Sequence, residues 1–283
     1  MRPDVSHFYD PDTNSLSYLV VEPGGRHAAI IDPVLDYDAR AGRTATRNAD
    51  KLLAAVKERG LKIDWLLETH VHADHVSAAP YLKAALGAST GIGQGVRAVQ
   101  DTWAAIYNLP PVDGQCFDRL FADGDTFQVG GLTARVIATP GHTPACVSYL
   151  IGDALFVGDT LFMPDYGTAR CDFPGGDAGQ LYRSIRRLLD LPAATRVFVC
   201  HDYQPGGRAL AFETTVAAQR AENKHVKDGV GEAEFVAMRS ERDGTLSVPA
   251  LLLPAIQLNI RGGRLPEPEA NGVAYLKIPL NKL

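Results

Sequence analysis

The run Thr69-His70-Val71-His72-Ala73-Asp74-His75 sets three imidazoles and a carboxylate within six residues, directly after the apolar stretch Trp65-Leu66-Leu67. Imidazole suits zinc, iron and other borderline divalent cations, and a carboxylate adds charge and hardness to the same site. At a strand-to-loop junction such groups can converge on one or two metal ions. A polar loop whose histidines merely cluster is the bland alternative, and only confirming context elsewhere in the chain excludes it.

Three later signals supply that context. Thr139-Pro140-Gly141-His142-Thr143 puts an imidazole on a turn after the apolar strand 134–138. Leu155-Phe156-Val157-Gly158-Asp159-Thr160 ends a buried-looking strand with a carboxylate, and Val197-Phe198-Val199-Cys200-His201-Asp202-Tyr203 ends another with an imidazole. His70, His72, His75, His142 and His201 make five of the chain's eight histidines. A single His or Asp at a strand end is usually just hydrogen-bonded. Together, and at the ends of strands that a rigid sheet would hold, these groups predict a metal site that stays open.

The elements that must carry them are partly readable. Leu16–Val21 and 28–32 flank Glu22-Pro23-Gly24-Gly25 and predict paired strands. Residues 50–60 carry Leu52, Leu53 and Val56 at helical spacing, with Gly60 as the stop. A buried strand over 63–68 then delivers the His motif. Helices are expected over 76–86, ending at Gly87, and over 94–107, ending at Leu109-Pro110-Pro111. From 117 to 157 the pattern is β, and helical periodicity returns at 178–189 and 212–223. Alternation of β-rich and helical stretches predicts a two-sheet sandwich with outer helices. Beyond His225, Leu251-Leu252-Leu253-Pro254 and Leu265-Pro266-Glu267-Pro268 are poor helix or strand interiors, so an extended segment is expected. Residues 1–225 are thus expected as the catalytic domain. Residues 226–283 are expected as a C-terminal extension that packs on it or on a neighbouring subunit in a homo-oligomer.

With 283 residues, 46% hydrophobic and 22% charged, the chain can bury a substantial core. A net charge of −5 argues against nucleic acid or an anionic membrane as partner. No apolar run approaches the roughly 20 residues of a membrane span, and Met1-Arg2-Pro3-Asp4-Val5 lacks the apolar core of a signal peptide. Cys116, Cys146, Cys171 and Cys200 form no CxxC pair, so neither a disulfide framework nor a zinc knuckle is indicated. A reduced, cytoplasmic enzyme is the expectation.

HxHxDH, a TPGH turn, a GD strand end and a late His resemble the metallo-β-lactamase fold superfamily over roughly residues 5–225. That resemblance implies an α+β fold: an αββα sandwich of two mixed sheets flanked by helices, with metals at one edge. In dinuclear members His70, His72 and His142 form one site, Asp74, His75 and His201 the second, and Asp159 bridges. All seven positions are filled here, so a hydroxide on two zinc ions attacking a thioester or lactone is chemically possible, as in glyoxalase II or a lactonase.

The surrounding residues resemble a different branch, the persulfide (sulfur) dioxygenases. Residues 68–76, 139–144 and 158–162 are similar to that family, and Gly167-Thr168-Ala169-Arg170-Cys171-Asp172-Phe173 matches its Gly-x-x-Arg-x-Asp-Phe segment. The nearest resemblance is to a bacterial subgroup of β-lactamase-like hydrolases that includes persulfide dioxygenases; mitochondrial relatives usually carry Thr where Cys171 sits. The resemblance implies one Fe(2+) per subunit, held by His70, His142 and Asp159 with three open positions. His72, Asp74, His75 and His201 then hydrogen-bond around it. Glutathione persulfide or another small persulfide would be oxidised with O2 to sulfite and thiol. One or two Zn(2+) ions are the alternative.

Other residues keep two readings each. Arg170 either steadies a substrate carboxylate or anchors its loop through Asp172. Tyr203 either reaches the metal pocket, as its family counterpart does, or is an interior tyrosine bonded to a backbone carbonyl. Cys171 lies near the predicted pocket, but Cys171 and Cys200 both read as small buried hydrophobes. Arg208 and Lys224 are candidates for holding glutathione carboxylates, against simple surface solvation.

Overall fold

The computed structural model describes residues 1–112 and 115–282. Its first half runs β1 (Asp4–Asp10), β2 (Ser15–Val21), β3 (His27–Ile31), β4 (Val34–Asp38), β5 (Arg43–Ala45), α1 (Arg47–Glu58), β6 (Lys62–Leu67), β7 (Val76–Ser77), α2 (Ala79–Leu86), β8 (Ser89–Gly93), α3 (Val96–Tyr107) and β9 (Arg119–Phe121). The second half runs β10 (Thr126–Val129), β11 (Leu132–Ala138), β12 (Val147–Ile151), β13 (Ala154–Phe156), α4 (Ala178–Leu189), β14 (Arg196–Phe198), β15 (Glu213–Thr215), α5 (Val216–Glu222), α6 (Glu232–Asp243) and α7 (Leu252–Asn259).

Two six-stranded mixed sheets result, in the orders β1-β2-β3-β6-β8-β9 and β10-β11-β12-β13-β14-β15, with a small β5-β4-β7 sheet beside them. Strands β3, β6, β8 and β9 run parallel, so their C-terminal ends share one edge. Every residue of β2 is buried, which requires apolar partners on both faces. Alternation provides them. Leu16, Tyr18 and Val20 face the second sheet, against Tyr149, Phe156 and Phe198. Leu19 and Val21 face outward, under Leu52 and Val56 of α1 and Leu82 of α2. Helix α4 covers the second sheet with Leu181, Ile185 and Leu188, its first turn capped by Asp177 accepting from the Gln180 N–H at 2.6 Å. This is the αββα sandwich the resemblance implies.

Three boundaries differ from expectation, each for a local reason. Val76 and Ser77 pair with Leu35 and Val34 as a strand, so α2 starts only at Ala79, with Pro80 in its first turn. Residues 213–215 pair with β14, and Thr215 then caps α5 by accepting from the Ala218 N–H at 3.1 Å. The segment beyond His225 is not simply extended: α6 and α7 form, and Pro254 is the third residue of α7, where its missing N–H would have had no helical partner anyway. Among the described residues beyond 263 there is no further helix or strand. Among the described residues no helix is long and apolar enough to cross a membrane. Burial pushes the Cys146 thiol up to about 12 and raises Cys171 and Cys200 as well.

Candidate metal centre

Parallel pairing sets Ile31 beside Leu67, so Asp32 and the His motif leave the sheet edge together. Asp32 turns there in a left-handed conformation (φ 49°), unusual for a residue with a side chain. Its carboxylate accepts from the Thr69 N–H at 2.7 Å and from the Thr69 hydroxyl at 2.8 Å. Having donated its proton to Asp32, the Thr69 hydroxyl is left as acceptor for His70 Nδ1 at 3.0 Å. That relay fixes the tautomer and leaves Nε2 of His70 free to ligate.

His142 is oriented in the same way from another strand end. Its Nδ1 donates to the Arg170 carbonyl at 2.7 Å, and its Nε2 lies 3.7 Å from Asp159 Oδ2. His70 Nε2 is 3.9 Å from the same oxygen. Asp159 stands on the 3-10 turn Gly158–Thr160 that follows β13. One ligand atom from each of His70, His142 and Asp159 lies within 4.8 Å of the others. Burial, with His72 and His142 alongside, holds the His70 imidazole well below its ordinary value, in the neutral form a metal needs.

His72, Asp74 and His75 form a second group of the same tightness. His75 Nδ1 and His201 Nδ1 approach the Ser15 hydroxyl at 3.2 and 3.4 Å. His201 Nε2 lies 3.1 Å from Asp74 and 3.3 Å from Asp159, yet satisfies hydrogen-bond geometry with neither. His72 Nε2 sits between Asp32 at 3.1 Å and Glu68 at 3.3 Å. Burial works against a charge on His72, but those two carboxylates raise it well above the ordinary value. The Ser77 hydroxyl donates to Glu68.

The donor set fits a metal. His72 Nδ1, His75 Nε2, His201 Nε2 and Asp159 Oδ1 are buried without a hydrogen-bond partner. Orphaned polar atoms are rare in folded proteins, and these four belong to residues of two tight groups, His72–Asp74–His75 and Asp159–Cys200–His201, whose unpartnered atoms a divalent cation would satisfy. A cavity of about 460 Å³ opens over Asp74, His142 and Asp159. Phe162, Tyr166, Phe173 and Tyr203 line it, with Arg170, Arg239, Arg242 and Leu251.

All seven expected ligands are therefore gathered at one edge of the sandwich, four from the first sheet and three from the second, and Tyr203 lines the cavity above them, its ring stacked 4.6 Å from Tyr166 and 5.8 Å from His201. Arg170 also faces the cavity but pairs with Asp172 at 2.6 Å, the loop-anchoring contact among its two readings. Arg208 lies outside the cavity lining, engaged by Asp165 and Asp202. Lys224 sits over the Tyr166 ring at 5.3 Å. Cys171 is buried, with its N–H donating to Asp243. Sequence reasoning missed Asp32, Ser15, Arg242 and Asn259. Asn259 Nδ2 donates to the carbonyls of His72 and His75. Only Asp32, ending an apolar strand, carried a signal that could have been followed.

Residues 10–201 match the metallo-beta-lactamase superfamily model. A probable metallo-hydrolase of Burkholderia pseudomallei is 56% identical, with 99% of each chain covered. The bovine mitochondrial persulfide dioxygenase ETHE1 is 31% identical over 69% of this chain and 66% of its own. The crystal structure of ETHE1 from Myxococcus xanthus matches at TM-score 0.75 and 31% identity, covering 92% of this chain and all of that one. Several other relatives at 54–55% identity are longer, and the chain spans 65% of their length. The strand-end ligands, the sandwich that holds them and these likenesses agree: the chain belongs to the metallo-β-lactamase superfamily, in its persulfide dioxygenase-like branch.

Proposed function

We propose that the chain is an iron-dependent persulfide dioxygenase that takes glutathione persulfide, dioxygen and water to glutathione, sulfite and protons. The observation that carries this is the His70–His142–Asp159 face, three ligand atoms within 4.8 Å opening onto the cavity. Two imidazoles and one carboxylate on one side of iron(II) would supply redox chemistry with coordination positions left over for a soft sulfur and for dioxygen. The likeness to ETHE1 proteins supports the same choice.

The chain's own residues have definable tasks. Thr69 and the Arg170 carbonyl hold the two imidazoles in the ligating tautomer. Phe162, Tyr166 and Phe173 give the cavity an aromatic wall beside the candidate ligands. Burial, with Asp74 and Asp159 nearby, raises the Tyr203 phenol far above its ordinary value, so its Oη keeps a proton to donate into the cavity.

One observation favours a second reading, a zinc thioester hydrolase of the glyoxalase II type. The His72–Asp74–His75 group is as tight as the first, and its unpartnered nitrogens suit a second ion. Anaerobic purification, iron and zinc quantification, and oxygen uptake on adding glutathione persulfide separate the two. One dioxygen consumed per sulfite, in proportion to iron, is the expected result. No iron-dependent uptake together with brisk S-lactoylglutathione hydrolysis would overturn it.

A further inference from the structure

Three guanidinium groups line the cavity, and two of them are fully engaged. Arg170 pairs with both oxygens of Asp172 at 2.6 Å and donates to the Ser247 carbonyl at 2.7 Å. Arg239, 1% exposed, is held by Asp243 at 2.9 Å and by the Thr168 carbonyl at 3.0 Å. Arg242 follows three residues later on α6, where i and i+3 share a face. It is half-buried, and its side chain makes no hydrogen bond or ion pair among the described residues. A partly desolvated cation in a concave wall is costly unless something anionic pairs with it. The planar guanidinium fork matches a carboxylate by two parallel hydrogen bonds.

Lys224 strengthens the case. Its ammonium lies over Tyr166, a lining residue of the same cavity. Burial and the nearby Arg242 hold that ammonium below its ordinary value. Asp165, the carboxylate that counters them, is already paired with Arg208 at 2.5 Å. Arg242 thus faces the cavity itself, and Lys224, exposed and outside the lining, stands beside it as a second cation at the rim.

We propose that Arg242, assisted by Lys224, forms an anion subsite that takes a carboxylate of the small thiol whose sulfur reaches the metal centre. The proposal rests on the reading above that the ligand is a derivative of a low-molecular-weight thiol. Both cations lie outside the stretch 10–201 that matches the superfamily. Selection of the thiol carrier is then built by the C-terminal segment, Arg242 on α6 and Lys224 on the turn before it, and the chemistry by the sandwich edge. Carriers with a carboxylate are favoured over neutral ones.

The test uses the full-length, iron-loaded protein under anaerobic conditions, with calorimetric titration of reduced glutathione and of its diamide, which lacks both negative charges. Glutathione should bind about ten-fold more tightly than the diamide, equivalent to about 1.4 kcal/mol. Arg242→Gln should lower glutathione affinity by the same factor and leave the diamide unchanged. Glu241→Gln, an exposed neighbour on the same helix, should match wild type for both ligands. Wild-type glutathione affinity in Arg242→Gln overturns the proposal, as does equal loss in both variants. Tighter binding of coenzyme A than of glutathione, dependent on Arg242, also overturns it, because the site then takes phosphate. Binding is read without turnover, so glutathione bound through Arg242 with no oxygen uptake would sink the dioxygenase reading and leave the subsite standing.

Discussion

The side-chain amide of Asn259 donates a 2.8 Å hydrogen bond to the backbone carbonyl of His72, tying α7 to the loop that carries four of the seven candidate ligands. The same amide donates to the His75 carbonyl at 2.7 Å, and its oxygen accepts the Ser77 N–H at 2.9 Å. One buried side chain, 4% exposed, therefore satisfies two carbonyls of a loop that has no ladder of its own at 70–75 and the N–H of Ser77 in the strand that follows it. The helix itself is fastened from elsewhere, with Leu252 and Ile256 packed against Trp103 and Val71. The C-terminal helices are thus part of the machinery that shapes the metal centre.

Asn259→Ala should weaken the metal site without emptying it. It leaves three buried backbone groups without partners, at a cost of about 1–3 kcal/mol in stability. Groups that orient ligands from behind typically change metal affinity by about 10–100-fold when removed. Chelator competition on the purified variant reads the affinity, and an affinity equal to wild type would refute the clamp.

His142→Ala and His201→Ala should separate the two metal readings. His142 belongs to the tight group with His70 and Asp159, whereas His201 stands with Asp159 and Cys200. With a single iron, His142→Ala abolishes metal binding and His201→Ala keeps most of it. Metal content by elemental analysis checks this, and equal loss in both variants indicates a dinuclear centre.

The candidate ligands were legible because each sits at or just after a point where a short apolar strand stops and polar chemistry begins, a signal confined to a few neighbouring residues. The sandwich followed from the same strands. Asp32 was not legible as part of the site: its link to Thr69 and His72 depends on parallel pairing between β3 and β6, which sequence spacing does not announce. Helix α7 was hidden by Pro254, whose position in a first turn rather than an interior is set by where the helix starts. Arg242 looked like any surface arginine until α6 packed Phe235 into the core and turned one face to the cavity. Tertiary context decides such residues, and it overrides local propensity.

Gly141→Ala should damage both fold and site. Gly141 has φ 144°, which side-chain-bearing residues rarely adopt, and an added Cβ would meet the Leu181 backbone at 2.3–2.4 Å. The helix backbone of α4 cannot yield as a flexible side chain would. Strain at such a position alone costs about 1–3 kcal/mol, and relief by loop movement would shift His142. Denaturant midpoint and metal content should fall together. A variant with wild-type values for both would mean the turn is softer than its packing implies.

His225 should make the protein acid-sensitive in a definable window. Burial, with Arg239, Lys224 and Arg242 alongside, lowers its imidazole from 6.5 to about 3. Its Nδ1 accepts from the Thr168 N–H at 3.1 Å, a bond that protonation would break. The folded state therefore holds this ring neutral, while the unfolded chain takes up a proton below 6.5. Between about 3 and 6.5 the unfolded state binds more protons, so the stability His225 contributes is present above that window and lost as pH falls through it. His225→Gln removes the linkage. Its stability, followed by denaturant midpoint in metal-loaded protein, should fall less steeply with acid than that of wild type, by at most one proton's worth of slope. Parallel slopes in the two proteins would show that His225 is free to protonate in the fold.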